Sequence, residues 1–392
     1  METYLSRPDV SSRSKIPIEY IGFFNSTGYG QSASSNVFSL DRSGRYDVRI
    51  RGVHGRLSPD SFSKTDYANL SLMASKSENS RSVQVLHCIP DMFRRINLHQ
   101  RKIALSTFET FQPPDHWIEA MNRCDAIFCP SQFNREQFLK AGLKKPLFVI
   151  PHVLDFDVWN SEVQSMPRDE RFTFLFVGTW RRRKGYEALL EAWMKEFAPD
   201  EAVRLLIKTD KSDTAIKDVQ KFKRDFDKKE IAPVSFERRV FDERQMASFI
   251  KSTDCYVSPS MGEGFGLCGL QAMSLRVPVI ITNFSGCQEY AKSDNCTLLE
   301  PSGFIVHESI DPIPQFANKK WPRIKVATIQ EAMRGVFENY KQSQIKADRA
   351  YEFVKQNFNY GVFASKFDEM METIFSGSYS QNKALQRYPR RR

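Results

Sequence analysis

The chain has 392 residues, 41% of them hydrophobic and 27% charged, which fits two to three soluble domains at roughly 150 residues each. Lys and Arg number 57 against 47 Asp and Glu, a formal net charge of +10. That balance excludes an acidic, solvating chain and favours an anionic partner: a nucleotide, a nucleic acid or a lipid surface. Half of the excess is local, because Lys383, Arg387, Arg390, Arg391 and Arg392 close the chain with no acid among them. The seven cysteines are odd in number and show no C-x-x-C spacing, so free thiols in a reducing compartment are expected. No segment approaches the eighteen consecutive apolar residues of a membrane span and none reads as a signal peptide. A cytoplasmic protein is the expectation, with its basic surface as the candidate contact for a membrane or nucleic acid.

Short β-rich runs alternate with helix-period segments along most of the chain, the pattern of parallel βαβ units. In the first half the strands are expected at 18–24, 46–53, 83–87, 102–108, 125–129 and 146–150, and the helices at 31–40, 90–97, 114–122 and 132–141. Residues 151–171 are polar without a clear period and read as an interdomain linker. A second series follows, with strands at 172–177, 203–208, 233–236, 254–258 and 277–282 and helices at 185–197, 213–229, 242–252 and 266–275. After Val306 the chain is expected to be helical, with apolar residues three and four apart at 328–340, 343–356 and 360–375. The remainder from Ser376 has little to bury and reads as a mobile tail. The fold class is therefore α/β, with two doubly wound domains. Such folds hold ligands outside the carboxyl ends of their strands.

The most informative stretch runs from Ser258 to Ile280, S-P-S-M-G-E-G-F-G-L-C-G-L-Q-A-M-S-L-R-V-P-V-I. Gly262, Gly264 and Gly266 permit close backbone approach to a ligand, and the helix that follows directs free N–H groups at it. Phosphate suits that end. Glu263 repels phosphate and would face an uncharged, hydroxyl-bearing portion, so the pair of features suits a phosphorylated sugar. In the second stretch, F-L-F-V-G-T-W-R-R-R-K-G-Y, a strand ends at Gly178 and four cations, Arg181, Arg182, Arg183 and Lys184, precede a helix. Cations at a strand's carboxyl end can clamp a diphosphate; the alternative is a nucleic-acid or localisation patch.

Glu263, seven intervening residues and Gln271 resemble the signature of the retaining glycosyltransferases of family four, which have the GT-B fold. The resemblance spans 18–375, with its stronger motifs in the second half. It implies two Rossmann-like domains facing across a cleft: 1–160 on the acceptor side, 161–358 binding a nucleotide sugar, a helix at 359–376 returning to the first domain, and a basic tail at 377–392. Glu263 would grip the donor sugar. Gln271 stands where the family has a second Glu on the ribose; losing the charge-assisted bond costs about 1 kcal/mol of nucleotide affinity. Lys184 fits the family's G-R-x-x-x-x-K-G element, whereas Thr179 takes the usual Arg place and Arg183 is the substitute, as in a branch that writes W-x-x-R-K-G. Phe265 and Leu267, with Gly178, Gly264 and Gly266, complete the implied donor site.

In the first half, Gly28 and Gly30 in N-S-T-G-Y-G-Q-S-A match the family's first glycine-rich loop, which cradles phosphate or covers the donor, though two glycines alone also make an ordinary turn. Glu109, in T-F-E-T, stands where the family often has His; it could orient the acceptor hydroxyl or the donor, or serve a structural role. His87 ends a strand and is structural or catalytic. Ser131 is a natural helix N-cap, and Glu289 reads as a helix-start acid. Asp155 and Asp157 form a D-x-D that is rejected as a metal site because it lies in the linker and the cationic clamp supplies the charge. No metal or cofactor is expected beyond a nucleoside-diphosphate sugar as co-substrate, UDP- or GDP-linked. The implied reaction is retaining transfer of a hexose to a glycan or lipid-linked acceptor, as in polysaccharide biosynthesis. The competing expectations are a nucleic-acid base as acceptor, or a catalytically silent nucleotide-sugar sensor. Nothing in the pattern specifies an oligomeric state.

Overall fold

The computed structural model describes residues 14–53, 57, 59–95 and 100–377. The first domain holds a six-stranded parallel sheet in the order β2-β1-β3-β4-β5-β6. Its elements are β1 (Ile16–Gly22), α1 (Gly28–Arg42), β2 (Tyr46–Gly52), α2 (Lys64–Ser75), β3 (Val83–His87), β4 (Lys102–Leu105), α3 (Asp115–Met121), β5 (Ala126–Cys129), α4 (Gln132–Lys140) and β6 (Leu147–Val149). β3 and β5 are buried along their whole length, as expected of parallel strands covered on both faces. The chain builds outward from β1 to β2, then returns to place β3 on the other side, so the strand order reverses between β1 and β3.

The second domain repeats the plan. β7 (Phe172–Val177), α5 (Tyr186–Glu196), β8 (Val203–Lys208), α6 (Ser212–Asp225), β9 (Val234–Glu237), α7 (Glu243–Lys251), β10 (Cys255–Ser258), α8 (Leu267–Ser274), β11 (Val279–Thr282) and β12 (Thr297–Leu299) form a sheet in the order β12-β11-β10-β7-β8-β9. Every pairing in it is parallel. Here the reversal falls between β7 and β10. The loops carrying the sequence's two strongest motifs leave these two strands, so the topology brings them side by side.

Beyond this sheet the structure departs from the expected all-helical end. β13 (Phe304–His307) and β14 (Lys319–Pro322) form an antiparallel hairpin, and only then come α9 (Val326–Glu338), α10 (Tyr340–Asn357) and α11 (Tyr360–Ser376). The hairpin is stabilised at long range: Ile310, Phe316 and Trp321 enter the first domain's core beside Leu86, Phe108 and Trp117. α11 lies on the first domain, its Phe363, Phe367, Met370 and Met371 joining the core around Tyr20 and Phe128.

Three further expectations need correction. The segment 151–171 joins the two domains, but its first half is packed rather than polar surface: Val153, Leu154, Val158 and Trp159 are buried and Leu154 bridges Asn359. The expected helix at 90–97 is a 3-10 turn over Pro90–Arg95, consistent with a proline start and little apolar period. α2 was not expected; its exposed Leu72 breaks the apolar stripe that would have signalled it. Apart from Gly377, the basic tail at 377–392 lies outside the described residues.

Candidate active site

The loops after β7 and β10 interlock. Gly185 has φ 74°, a left-handed conformation that favours glycine, and a Cβ there would lie 2.1 Å from the Pro259 carbonyl oxygen. Met261 N–H donates to the Arg183 carbonyl at 2.8 Å. These contacts place the Arg182–Lys184 turn beside the Gly262–Gly266 loop. Lys184 Nζ donates to both Glu263 oxygens, at 2.6 and 2.8 Å. Arg183 Nη1 donates to the Gly262 carbonyl at 2.6 Å, and its Nε to Asp311 Oδ2 at 3.2 Å. Ser285, itself at φ 59°, accepts from Glu263 N–H at 2.9 Å and donates to the Glu263 carbonyl at 3.0 Å.

Burial pushes the Glu263 carboxyl up, but Lys184 and Arg183 together hold it below the usual carboxylate range, so it is ionised. Glu109 goes the other way: burial raises it, repulsion from Glu263 adds to the rise, and Arg183 and Lys184 offset only part. Two carboxylates in one cluster are thus pushed apart in proton affinity. Gly266, in the left-handed region at φ 86°, begins α8 with no side-chain cap, which leaves first-turn N–H groups of that helix for a ligand. Phe265 is buried against Tyr290 and Phe358, and Leu267 opens α8. Gly178 lies over the Lys184 stem, a Cβ there meeting Lys184 Cδ at 3.7 Å.

On the first domain, Gly28 and Gly30 lie within the first turn of α1 rather than in a free loop; Thr27 caps it, accepting from Gly30 N–H at 3.2 Å. A Cβ on Gly30 would sit 2.2 Å from the Asn25 carbonyl oxygen. His87 is fully buried, with Nδ1 bonded to Tyr20 Oη at 2.8 Å and Nε2 to Ser32 Oγ at 3.2 Å. Burial, with the neighbouring His152, holds its imidazole neutral. Ser131 caps α4, accepting from Asn134 N–H at 3.2 Å. Glu289 ends a 3-10 turn, Ser285–Glu289, and does not cap its own helix: its carboxylate accepts from Gln132 N–H at 2.9 Å, at the first turn of α4 in the other domain.

Other contacts also close the two halves on each other. A Cβ on Gly264 would lie 2.4 Å from Thr107 Oγ1, and one on Gly262 2.4 Å from the Glu109 carbonyl oxygen. Gln271 Nε2 donates to Gln31 Oε1 at 3.0 Å. Phe111 and Phe133 pack on Phe284 and Phe304, with centroids 5.2–5.3 Å apart across the seam. The structure therefore gathers Arg183, Lys184, Glu263 and Glu109, with Gln271 on the adjoining helix. It leaves Arg182 exposed and paired with Glu187 at 3.1 Å, and Arg181 is half-buried at the turn's start. The partners Asp311 and Gln31 were not legible beforehand: 128 residues separate Asp311 from Arg183 and 240 separate Gln31 from Gln271; Asp311 sits in no local motif, and the glycine-rich stretch that holds Gln31 carries no sign of its partner.

Asp155 and Asp157 both pair with Arg42, at 2.8 and 3.2 Å. Among the described residues no group of three His, Cys, Asp or Glu side chains is arranged to hold a metal ion. None of the described helices is long and apolar enough to cross a membrane.

Residues 171–318 match the sequence model of the glycosyl transferases group 1 family, a span that contains β7, β10 and every charged member of the cluster except Glu109. This segment is a group 1 glycosyl transferase domain. A stretch of 121 residues, 30% of this chain, is 31% identical to 29% of the D-inositol 3-phosphate glycosyltransferase of Paenarthrobacter aurescens. The whole chain resembles Anabaena HepE, solved in complex with UDP and glucose, with a TM-score of 0.65 at 11% identity, covering 91% of this chain and 100% of that one. It resembles the sucrose-phosphate synthase of Thermosynechococcus elongatus equally well, with a TM-score of 0.65 at 14% identity over 93% of this chain and 100% of that one. The two facing sheets and these neighbours give the protein the GT-B fold. The matched segment includes β13 and ends just before β14, so only the first strand of the hairpin that sequence periodicity missed lies within the family's span.

Proposed function

We propose that the protein is a retaining, metal-independent glycosyltransferase that moves a hexose from a nucleoside-diphosphate sugar to a glycan or lipid-linked acceptor. The carrying observation is that Lys184, Arg183 and Glu263 converge where strand order reverses between β7 and β10, next to the uncapped start of α8. HepE, which has the same architecture and was solved with UDP and glucose and with UDP-glucose, supplies the analogy for a UDP-linked donor.

Cleaving the sugar–phosphate bond builds negative charge on the diphosphate and positive charge at the anomeric carbon. Lys184, Arg183 and the α8 N–H groups stabilise the first, and preorganised charge in a dry site is usually the largest catalytic contribution. Those two cations do the work that a metal would otherwise do. Lys184 is held by Glu263, so donor binding exchanges partners: the diphosphate takes Lys184 and the freed carboxylate takes sugar hydroxyls. Gln271 would bond the ribose after leaving Gln31. Glu109, whose carboxyl holds its proton more tightly than an ordinary Glu, is placed to bond a sugar or acceptor hydroxyl. The leaving phosphate receives the acceptor's proton on the same face, which is the retaining course.

The test is a thermal-shift and hydrolysis screen across UDP- and GDP-sugars, followed by transfer assays on glycan and lipid-linked acceptors. One donor is expected to raise the melting temperature and to be slowly hydrolysed. Absence of both effects for every donor refutes the reading.

A further inference from the structure

Arg183 is buried and its guanidinium is fixed from several sides. Besides the Gly262 carbonyl and the Asp311 carboxylate, Glu263 Oε2 lies 3.8 Å from Nη1 and the Phe316 ring lies 5.3 Å away in cation–π geometry. Asp311 and Phe316 both come from the loop between β13 and β14. That loop is held by the first domain: Ile310 and Phe316 are in its core, Gln315 Nε2 donates to Asp91 Oδ2 at 3.1 Å, and the Lys320 carbonyl accepts from Thr110 Oγ1. Arg183 itself belongs to the β7 loop of the second domain. One side chain of the cluster is thereby oriented by a carboxylate that is anchored on the far side of the cleft.

We propose that Asp311 is a positioning residue that aims Arg183 at the donor diphosphate only when the two domains are closed. The Asp311 side chain is 1% exposed, yet its Oδ1 is buried with no hydrogen-bond partner among the described residues. A carboxylate serving only to neutralise a buried cation is expected to be fully hydrogen-bonded; here one oxygen is committed to the Arg183 Nε and the other is left unsatisfied beside the site. When the domains part, the loop leaves with the first domain and Arg183 loses both the Nε anchor and the aromatic face. Arg183 then has only contacts from its own domain to hold it. Closure and transition-state stabilisation are coupled through this single ion pair. The inference rests on the glycosyltransferase reading.

Asp311→Asn tests it, with donor hydrolysis and transfer measured at saturating and limiting donor. Removing the carboxylate makes the site more positive, so the donor KM is expected to stay level or fall, while kcat falls at least tenfold because the guanidinium is no longer aimed. A purely structural Asp311 would lower the melting temperature and leave kcat of the folded protein unchanged; a carboxylate that merely competes with the diphosphate would give a raised kcat. Either result overturns the proposal. In an Arg183→Lys background the Asp311→Asn change is expected to cost no further factor, and additive losses would refute action through Arg183. If the Asn variant does not fold, Asp311→Glu, which shifts the carboxylate by one methylene, is expected to show the same split to a smaller degree; an unchanged kcat there is equally fatal. Wild-type protein that turns over no donor overturns the glycosyltransferase reading and this inference together, whereas active wild type with an unaffected Asp311→Asn overturns this inference alone.

Discussion

Glu263→Gln separates two roles that the structure assigns to one carboxylate. Glu263 neutralises Lys184, and the pair is largely buried, with side chains 13% and 18% exposed respectively. Removing one partner of a buried pair costs roughly 3–5 kcal/mol; residual water access and the amide oxygen that remains for Lys184 reduce this to about 2 kcal/mol. At roughly 2–4 °C per kcal/mol for a domain of this size, the ligand-free melting temperature falls by about 4–8 °C. Lys184 is then without a charged partner, so UDP alone has less to displace and its stabilising shift exceeds that of the wild type. Sugar transfer falls because the donor's hydroxyls have lost their acceptor. Differential scanning fluorimetry with and without UDP, paired with a transfer assay, reads all three effects. A variant with an unchanged melting temperature and an unchanged UDP shift would show that Lys184 does not exchange Glu263 for phosphate.

The remaining predictions follow from the seam and from one perturbed acid. Gly264→Ala brings a methyl group to 2.4 Å from Thr107 Oγ1, so the loops must part by about 1 Å, and a displacement of that size costs on the order of 100-fold in rate. Adding Thr107→Ala removes the two nearest atoms, Oγ1 and Cγ2, leaving Cβ at 3.1 Å, and is expected to recover most of the loss; no recovery would mean that the effect is not steric. Glu243, partly buried on α7, has its carboxyl pushed up to about 7 by burial and by repulsion from Asp66, Asp155 and Asp242. The folded state then keeps a proton that the unfolded chain releases above its ordinary pKa of about 4.5. Stability therefore declines as pH rises from about 4.5 to about 7 and levels off beyond, by roughly 1–3 kcal/mol. Glu243→Gln should flatten that slope in urea unfolding across the window; an unaltered slope assigns the pH dependence elsewhere.

Legibility followed distance along the chain. β7 announces itself as an apolar run ending at Gly178 and β10 as a short apolar run followed by a glycine-rich loop, and the residues that matter most follow within a few positions, so Lys184, Arg183 and Glu263 could be named in advance. The β13–β14 hairpin could not. Its residues include exposed Phe304, Ile305 and Val306 beside fully buried Trp321, with no clean alternation, because one face of the hairpin is covered by the other domain and the other is left largely open among the described residues. The packing of the stretch after Pro151 is hidden for the same reason: Val158 and Trp159 stand among polar residues, and only docking against the second domain explains their burial.

What the sequence determined by itself was the alternation of strands and helices, the two glycine-bearing phosphate-type loops and the kinds of charge they carry, since each depends on contacts within a turn or a strand. The tertiary structure decided how those charges are committed. It set Lys184 on Glu263, Arg183 between Asp311 and Gly262, Gln271 on Gln31, and Glu289 at the start of α4 in the opposite domain. Each is a pairing across many residues: the Lys184–Glu263 and Arg183–Gly262 contacts form once the second sheet sets β7 beside β10, whereas Gln271 on Gln31 and Glu289 on α4 also require the two domains to close, because an ion pair or hydrogen bond selects its partner by proximity and burial.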